Sequence, residues 1–171
     1  AKLKNESYII IDFAHTPDAL EQSLIALKHQ FNKKINIVFG CGGDRDKKKR
    51  LVMGKIASKY CQKIFITDDN PRNENPKAIR QSIIKGCKKF AIDIGNREKA
   101  IKTAVDELKA NEILLIAGKG HEEAQVYEKK IINISDKKLV KKIIDKRNFF
   151  IRKNYYQNTN YDGVSIDSKN I

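Results

Sequence analysis

The stretch TDDNPRNENP, residues 67–76, places acids, amides and an arginine directly after the strand-like run KIFI. A plain turn needs only Asn, Pro or Gly. Asp69, Asn70 and Arg72 exceed that requirement. Carboxylate acceptors beside a planar guanidinium fork suit a ligand that carries both signs of charge. Three other stretches concentrate reactive side chains in the same way. DFAHTP (12–17) brings Asp12 and His15, and GCGGDRDKKKR (40–50) brings Arg45 and a basic run. GKGHEE (118–123) brings Gly118, Lys119, Gly120, His121 and Glu122.

Each stretch also has a plainer reading. The glycines of GCGGDRD serve either a tight strand-to-helix turn through positive φ or a backbone cradle for phosphate at a helix start. AGKGHEE misses the G-x-x-x-x-G-K-[ST] pattern, and Glu123 stands where G-x-G-x-x-G needs its third glycine. No nucleotide-binding loop is therefore assigned. His15 can cap or pack rather than act. Cys41 has no base beside it in sequence and reads as a small packing residue. Lys48, Lys49 and Arg50 either approach phosphates or form a solvated helix start.

The elements that must position these loops alternate. Apolar runs at 8–13, 34–40, 63–67, 90–94 and 112–118 read as buried strands, the fourth of them weak. Between them lie helical patterns. Thr16 with Pro17, and Asn75 with Pro76, supply the N-cap and first-turn pairs that open two of them. Continuous apolar strands separated by helices predict a doubly wound α/β domain, Rossmann-like, with a mostly parallel sheet. QVYEKKIINI predicts a hairpin that adds an antiparallel edge, turning at residues 128–130. SDKKLVKKIID predicts a last helix capped by Ser135 or Asp136. In such sheets ligands bind beyond the carboxyl ends of the strands. All four reactive stretches follow strands, so they are expected at one edge.

Composition bounds the rest. The chain has 171 residues, 40% of them hydrophobic, which suits one domain with a core and a tail. No apolar run approaches the ~20 residues of a membrane span. Three cysteines without CxxC spacing argue against a disulfide frame or zinc site and fit a reducing cytosol. The three scattered histidines suggest no metal cluster, and no metal ligand is assigned. The net charge of +14 either attracts an anionic partner or reflects solvated basic faces on a Lys-, Ile- and Asn-rich chain. The start at Ala1, without a secretory signal, suggests a piece of a longer protein.

DFAHTPDALEQSL, VFGCGGDRDKKKR, MGKIA, TDDNPRNENP and AGKGHE, in this order from Tyr8 to Ile144, resemble the C-terminal domain of the Mur ligases, in its MurE-type branch. That resemblance implies an ATP-dependent ligase of peptidoglycan precursor synthesis in the bacterial cytoplasm. It adds meso-diaminopimelate to UDP-MurNAc-L-Ala-D-Glu through an acyl phosphate. ATP and Mg2+ would be held mainly by a central domain outside this chain, so the chain alone is expected to be inactive. Carried over residue by residue, the diaminopimelate contacts are Arg45, Asp69, Asn70, Arg72, Gly118 and Glu122. Asp12 and His15 are implied to support ATP. Neither a nucleic-acid nor a membrane partner is implied.

Lysine lacks the distal carboxylate of diaminopimelate, and lysine-adding relatives generally lack the arginine found here as Arg72. A site built on such a hydrogen bond rejects the lacking analogue by ~10⁴-fold in favourable cases. A lysine-adding or folylpolyglutamate-type ligase domain is the alternative reading, and a basic nucleic-acid-binding module is a more distant one. The sequence departs from the family pattern at Lys48, where a glycine is usual, and at Leu51, where proline often stands. Residues 1–146 are expected to form the domain and 147–171 a tail or linker. Within it GVSIDSKNI resembles the start of a Mur ligase N-terminal domain, which suggests a fused second ligase; a chance match is the other reading.

Overall fold

A computed structural model describes residues 1–146 except Lys4 and Lys89. The expected tail, and with it the suggested start of a second ligase domain, lies outside the described residues.

The strands form where the apolar runs predict them: β1 (Tyr8–Ile11), β2 (Lys34–Phe39), β3 (Lys63–Ile66), β4 (Ala91–Asp93) and β5 (Glu112–Ile116). Four helices connect them: α1 (Pro17–Phe31), α2 (Lys48–Tyr60), α3 (Pro76–Ile84) and α4 (Arg97–Asp106). All five strands pair in parallel in the order β1-β5-β2-β3-β4. The predicted caps are present. Thr16 accepts from the Ala19 N–H with Pro17 following, and Asn75 accepts from the Ala78 N–H with Pro76 following. Asn96 caps α4 in the same way by accepting from the Lys99 N–H.

Strand alternation sends side chains to two cores. Ile35, Ile37 and Phe39 of β2, with Ile113 and Leu115 of β5, pack with Leu20, Leu24, Met53, Ile79 and Ile83 from α1, α2 and α3. Val38, Leu114 and Ile116 face the opposite side and pack with Ala100, Ile101, Ala104 and Val105 of α4. Val140 of a last helix, α5 (136–146), joins this second core. Both sheet faces are covered, so nearly every strand residue is apolar.

The hairpin also forms, as β6 (Ala124–Tyr127) and β7 (Lys130–Asn133). It is a two-stranded sheet of its own rather than an edge of the main sheet. Its link to the body is made through the 67–75 loop: Arg72 bridges Tyr127, and the Arg72 N–H donates to the Val126 carbonyl over 3.0 Å. The alternation of residues 124–133 specifies a hairpin but not the partner of its outer edge, and here that partner is a loop.

The register sets the site. Ile11 lies level with Ile116, Ile116 with Val38, and Phe39 with Ile66. The chain therefore leaves β1, β2, β3 and β5 side by side at one sheet edge.

Candidate functional site

The four loops enclose a cleft of about 410 Å³. Arg45, Asp69, Asn70, Arg72, Gly118, Glu122 and His15 all line it, as the sequence reading expects. Asp12 does not. Its carboxylate accepts from the Ala14 N–H over 3.2 Å and from the Ser23 hydroxyl over 2.5 Å, while its carbonyl accepts from the Gly118 N–H. In this structure Asp12 shapes the first loop and ties it to α1 and to the Gly118 loop.

Arg72 carries the geometry that the opening stretch foreshadows. Its φ of +52° is left-handed, which a non-glycine residue adopts only when its surroundings hold it there. The bonds to β6 supply that hold. Its Nη1 donates to the Gly43 carbonyl over 2.8 Å and to the Asn70 carbonyl over 3.3 Å. Among the described residues no acceptor engages Nε or Nη2, so part of the fork remains for a ligand.

The glycines of GCGG serve neither positive φ nor an isolated turn. The described glycines with positive φ are Gly118 and Gly120. A Cβ on Gly43 would fall 1.8 Å from the Pro71 carbonyl oxygen, and one on Gly42 would fall 2.8 Å from Arg72 Nη1. These glycines let the second loop lie against the third. Gly118 combines both needs: its φ is +109°, and a Cβ would come 2.9 Å from Asp69 Oδ2.

A second clamp holds the same two loops together. Arg50 is buried and donates to Glu74 Oε2 over 2.9 Å, to Glu74 Oε1 over 2.8 Å and to the Gly42 carbonyl over 3.2 Å. Glu74 Oε1 also accepts from the Asp44 N–H. The hydrogen bonds from Arg50 above all, with the Asp44 N–H and the nearby positive charges, bring the Glu74 carboxyl down to about 2. Arg50 is thus committed inside the protein and is not a phosphate contact, whereas Lys49 lines the cleft and donates to the His15 carbonyl. Lys48 opens α2 without a left-handed φ, so lysine replaces the usual glycine without strain. Cys41 packs against Met53, and burial pushes its thiol up to about 12, as suits a packing residue.

The cleft mouth is looser. His15 is exposed, with Nδ1 2.8 Å from the Phe13 carbonyl. Phe13, 43% exposed, stands between the rings of His15 and His121 at 4.7 and 5.5 Å.

The sequence reading missed two buried charges behind the cleft. Arg97, at the start of α4, donates to Asp136 from Nε over 2.9 Å and from Nη2 over 2.7 Å, and from Nη2 to the Ala117 carbonyl over 3.1 Å. Both side chains of this pair are fully buried. Asp136, one of two expected helix caps, therefore anchors α5 instead, and Ser135 accepts from the Leu139 and Lys138 N–H groups. Lys119 is also fully buried. Basic residues at a loop and at a helix start normally read as surface, so no local signal marked either one.

Five parallel strands with helices on both faces, and a mixed-charge cleft beyond their carboxyl ends, define an α/β domain with a candidate binding cleft. The family model described as "Mur ligase, glutamate ligase domain" matches residues 2–120, and the chain belongs to that family. The UDP-N-acetylmuramoyl-L-alanyl-D-glutamate--2,6-diaminopimelate ligase of Buchnera aphidicola subsp. Schizaphis graminum is 49% identical over 141 residues, covering 81% of this chain and 28% of its own length. The ligase of the same description from Rickettsia rickettsii is 51% identical over 139 residues, 80% of this chain and 29% of its own. A solved structure of a UDP-N-acetylmuramoyl-L-alanyl-D-glutamate--2,6-diaminopimelate ligase superposes with a TM-score of 0.76 at 37% identity. That match covers 82% of this chain and 29% of the solved one. The chain thus spans under a third of the length of these relatives.

Proposed function

We propose that residues 1–146 form the amino-acid-binding domain of a cytoplasmic, ATP-dependent ligase that joins meso-diaminopimelate to UDP-MurNAc-L-Ala-D-Glu in peptidoglycan precursor synthesis. The observation that carries this reading is the charge pattern of the cleft. The guanidinium groups of Arg45 and Arg72 and the carboxylates of Asp69 and Glu122 converge, with Lys49 and Asp46 also in the lining, on one space of about 410 Å³. Diaminopimelate presents two carboxylates and two ammonium groups, so each ligand charge finds an opposite one. The free side of the Arg72 fork takes the distal carboxylate, which lysine lacks.

This chain's residues bind and orient the amino acid so that one amine stays free to react. ATP with Mg2+ supplies the activation of the D-Glu carboxylate as an acyl phosphate when bound. Among the described residues no three of His, Cys, Asp and Glu gather as metal donors, and the Asp12 carboxylate is already engaged. Phosphates and metal are proposed to be held mainly by the part of the ligase that this chain does not span. His15, at the exposed mouth, is the residue proposed to meet a nucleotide. No described helix is long and apolar enough to cross a membrane, and the proposed reaction involves neither membrane nor nucleic acid.

The test is turnover by the full-length protein that carries this chain, supplied with ATP, Mg2+ and UDP-MurNAc-L-Ala-D-Glu. Product is expected with meso-diaminopimelate and not with L-lysine. Equal turnover of L-lysine sinks the assignment.

A further inference from the structure

Lys119 lies behind the cleft wall with its side chain fully buried. Its Nζ donates to the Ala124 carbonyl over 2.6 Å, to Glu122 Oε2 over 2.9 Å and to Asn70 Oδ1 over 3.2 Å. An ammonium has three protons, so every one is used inside the protein. None is left for a ligand.

The consequences fall on two proposed ligand contacts. Asn70 Oδ1 accepts from Lys119 and also from the Val126 N–H over 3.0 Å. Two donors on one oxygen fix which way the amide points. Its Nδ2 then donates to Glu122 Oε2 over 3.1 Å. That carboxylate oxygen accepts from both Asn70 and Lys119, which leaves Oε1 as the outward one. Burial pushes the Glu122 carboxyl up, but the hydrogen bonds from Lys119 and Asn70 outweigh it and hold it below the ordinary range. Arg72 and Arg97 act on the same carboxylate from other elements.

We propose that Lys119 is a positioning residue of the amino-acid site: its buried ammonium locks the Asn70 amide and the Glu122 carboxylate into one arrangement. The cleft then meets the remaining oxygen of Glu122 and, from the Asn70 side chain, one remaining N–H donor and no acceptor. Such a wall accepts an ammonium at Glu122 and rejects it at Asn70. Lys119 thereby sets the orientation of a ligand that it never touches. The consequence for diaminopimelate rests on the function proposed above; the arrangement itself does not.

The experiment compares the wild-type chain with Lys119→Met, which keeps the length of the stem and removes the charge. Side-chain 13C NMR follows the Glu122 titration, and amide NMR follows titrations with meso-diaminopimelate and L-lysine. In wild type the Glu122 midpoint is expected below the ordinary glutamate range, and in Lys119→Met it is expected to rise. Diaminopimelate affinity should fall roughly ten- to a hundredfold, the scale of lost hydrogen bonds to charged groups. The preference over lysine should narrow, which general destabilisation would not do. A folded Lys119→Met with an unmoved Glu122 midpoint overturns the proposal. Should that variant fail to fold, the wild-type titration decides alone: an ordinary or raised Glu122 midpoint overturns it. A low Glu122 midpoint that rises in the variant, in a chain that ignores diaminopimelate, supports the role of Lys119 and counts against the ligand.

Discussion

The inner and outer walls of the cleft are built differently. On the inner wall Asn70, Glu122 and Arg72 are each held from behind. Lys119 and the Val126 N–H fix Asn70, Lys119 fixes Glu122, and β6 holds the left-handed Arg72. On the outer wall Arg45 and His15 are exposed, and among the described residues their side chains hydrogen-bond to carbonyls of the same loops. A fixed wall discriminates, because a mismatched ligand leaves buried groups unpaired. An exposed wall adapts and adds little specificity. We propose that the inner wall recognises the amino acid and that the outer one is left for more adaptable contacts.

The sharpest way to break the inner wall is from behind. Asp136→Asn leaves the fully buried Arg97 charge without its partner, and breaking such a pair costs about 3–5 kcal/mol. Urea denaturation should show that loss, and the resonances of the Ala117–Gly118 segment should shift because Arg97 donates to the Ala117 carbonyl. Next in size is Arg72→Ala. Calorimetry should find diaminopimelate binding weakened by roughly 2–3 kcal/mol, the worth of charged hydrogen bonds to the distal carboxylate. L-Lysine binding should barely change.

The Arg50–Glu74 clamp joins the two loops and gives a pH-dependent test. The folded Glu74 carboxyl sits at about 2 against an ordinary 4.5. A depressed acid stabilises the fold in full above its unfolded value, and that contribution is lost as pH falls through the folded one. Wild-type denaturation midpoints should therefore drop between pH 4.5 and 2. Glu74→Gln should start about 1–2 kcal/mol lower at neutral pH and lose less on acidification. The smallest effect belongs to the outer wall. Arg45→Ala should change stability by less than about 1 kcal/mol, as for other exposed charges, and thermal melting should show it nearly unmoved.

Much of this was legible in the sequence, and the parts that were not share a cause. Apolar runs and Asn or Thr caps before proline gave the five strands and the starts of α1 and α3, because burial and capping act locally. Gathering the segments that follow strands brought the four loops to one edge, because parallel strands end there; the choice of Arg45, Asp69, Asn70, Arg72, Gly118 and Glu122 within them came from the family resemblance. The unread parts depend on partners far along the chain. Arg97 meets Asp136 across 39 residues, and Lys119 meets Asn70 across 49. Burying a lysine or an arginine needs a partner that only the tertiary fold supplies. The Asp12 contacts went unread for a related reason: a carboxylate after a strand reads the same whether it faces a ligand or the Ser23 hydroxyl.

The central claim is that the cleft, chiefly through its inner wall, recognises a diamino dicarboxylate. The most direct measurement is an amide-NMR titration of this chain with meso-diaminopimelate and, separately, L-lysine. The account predicts shifts at Asp69, Asn70, Arg72, Gly118 and Glu122 with the first ligand and none with the second. Equal shifts with both ligands, or shifts confined to residues away from these five, would contradict it.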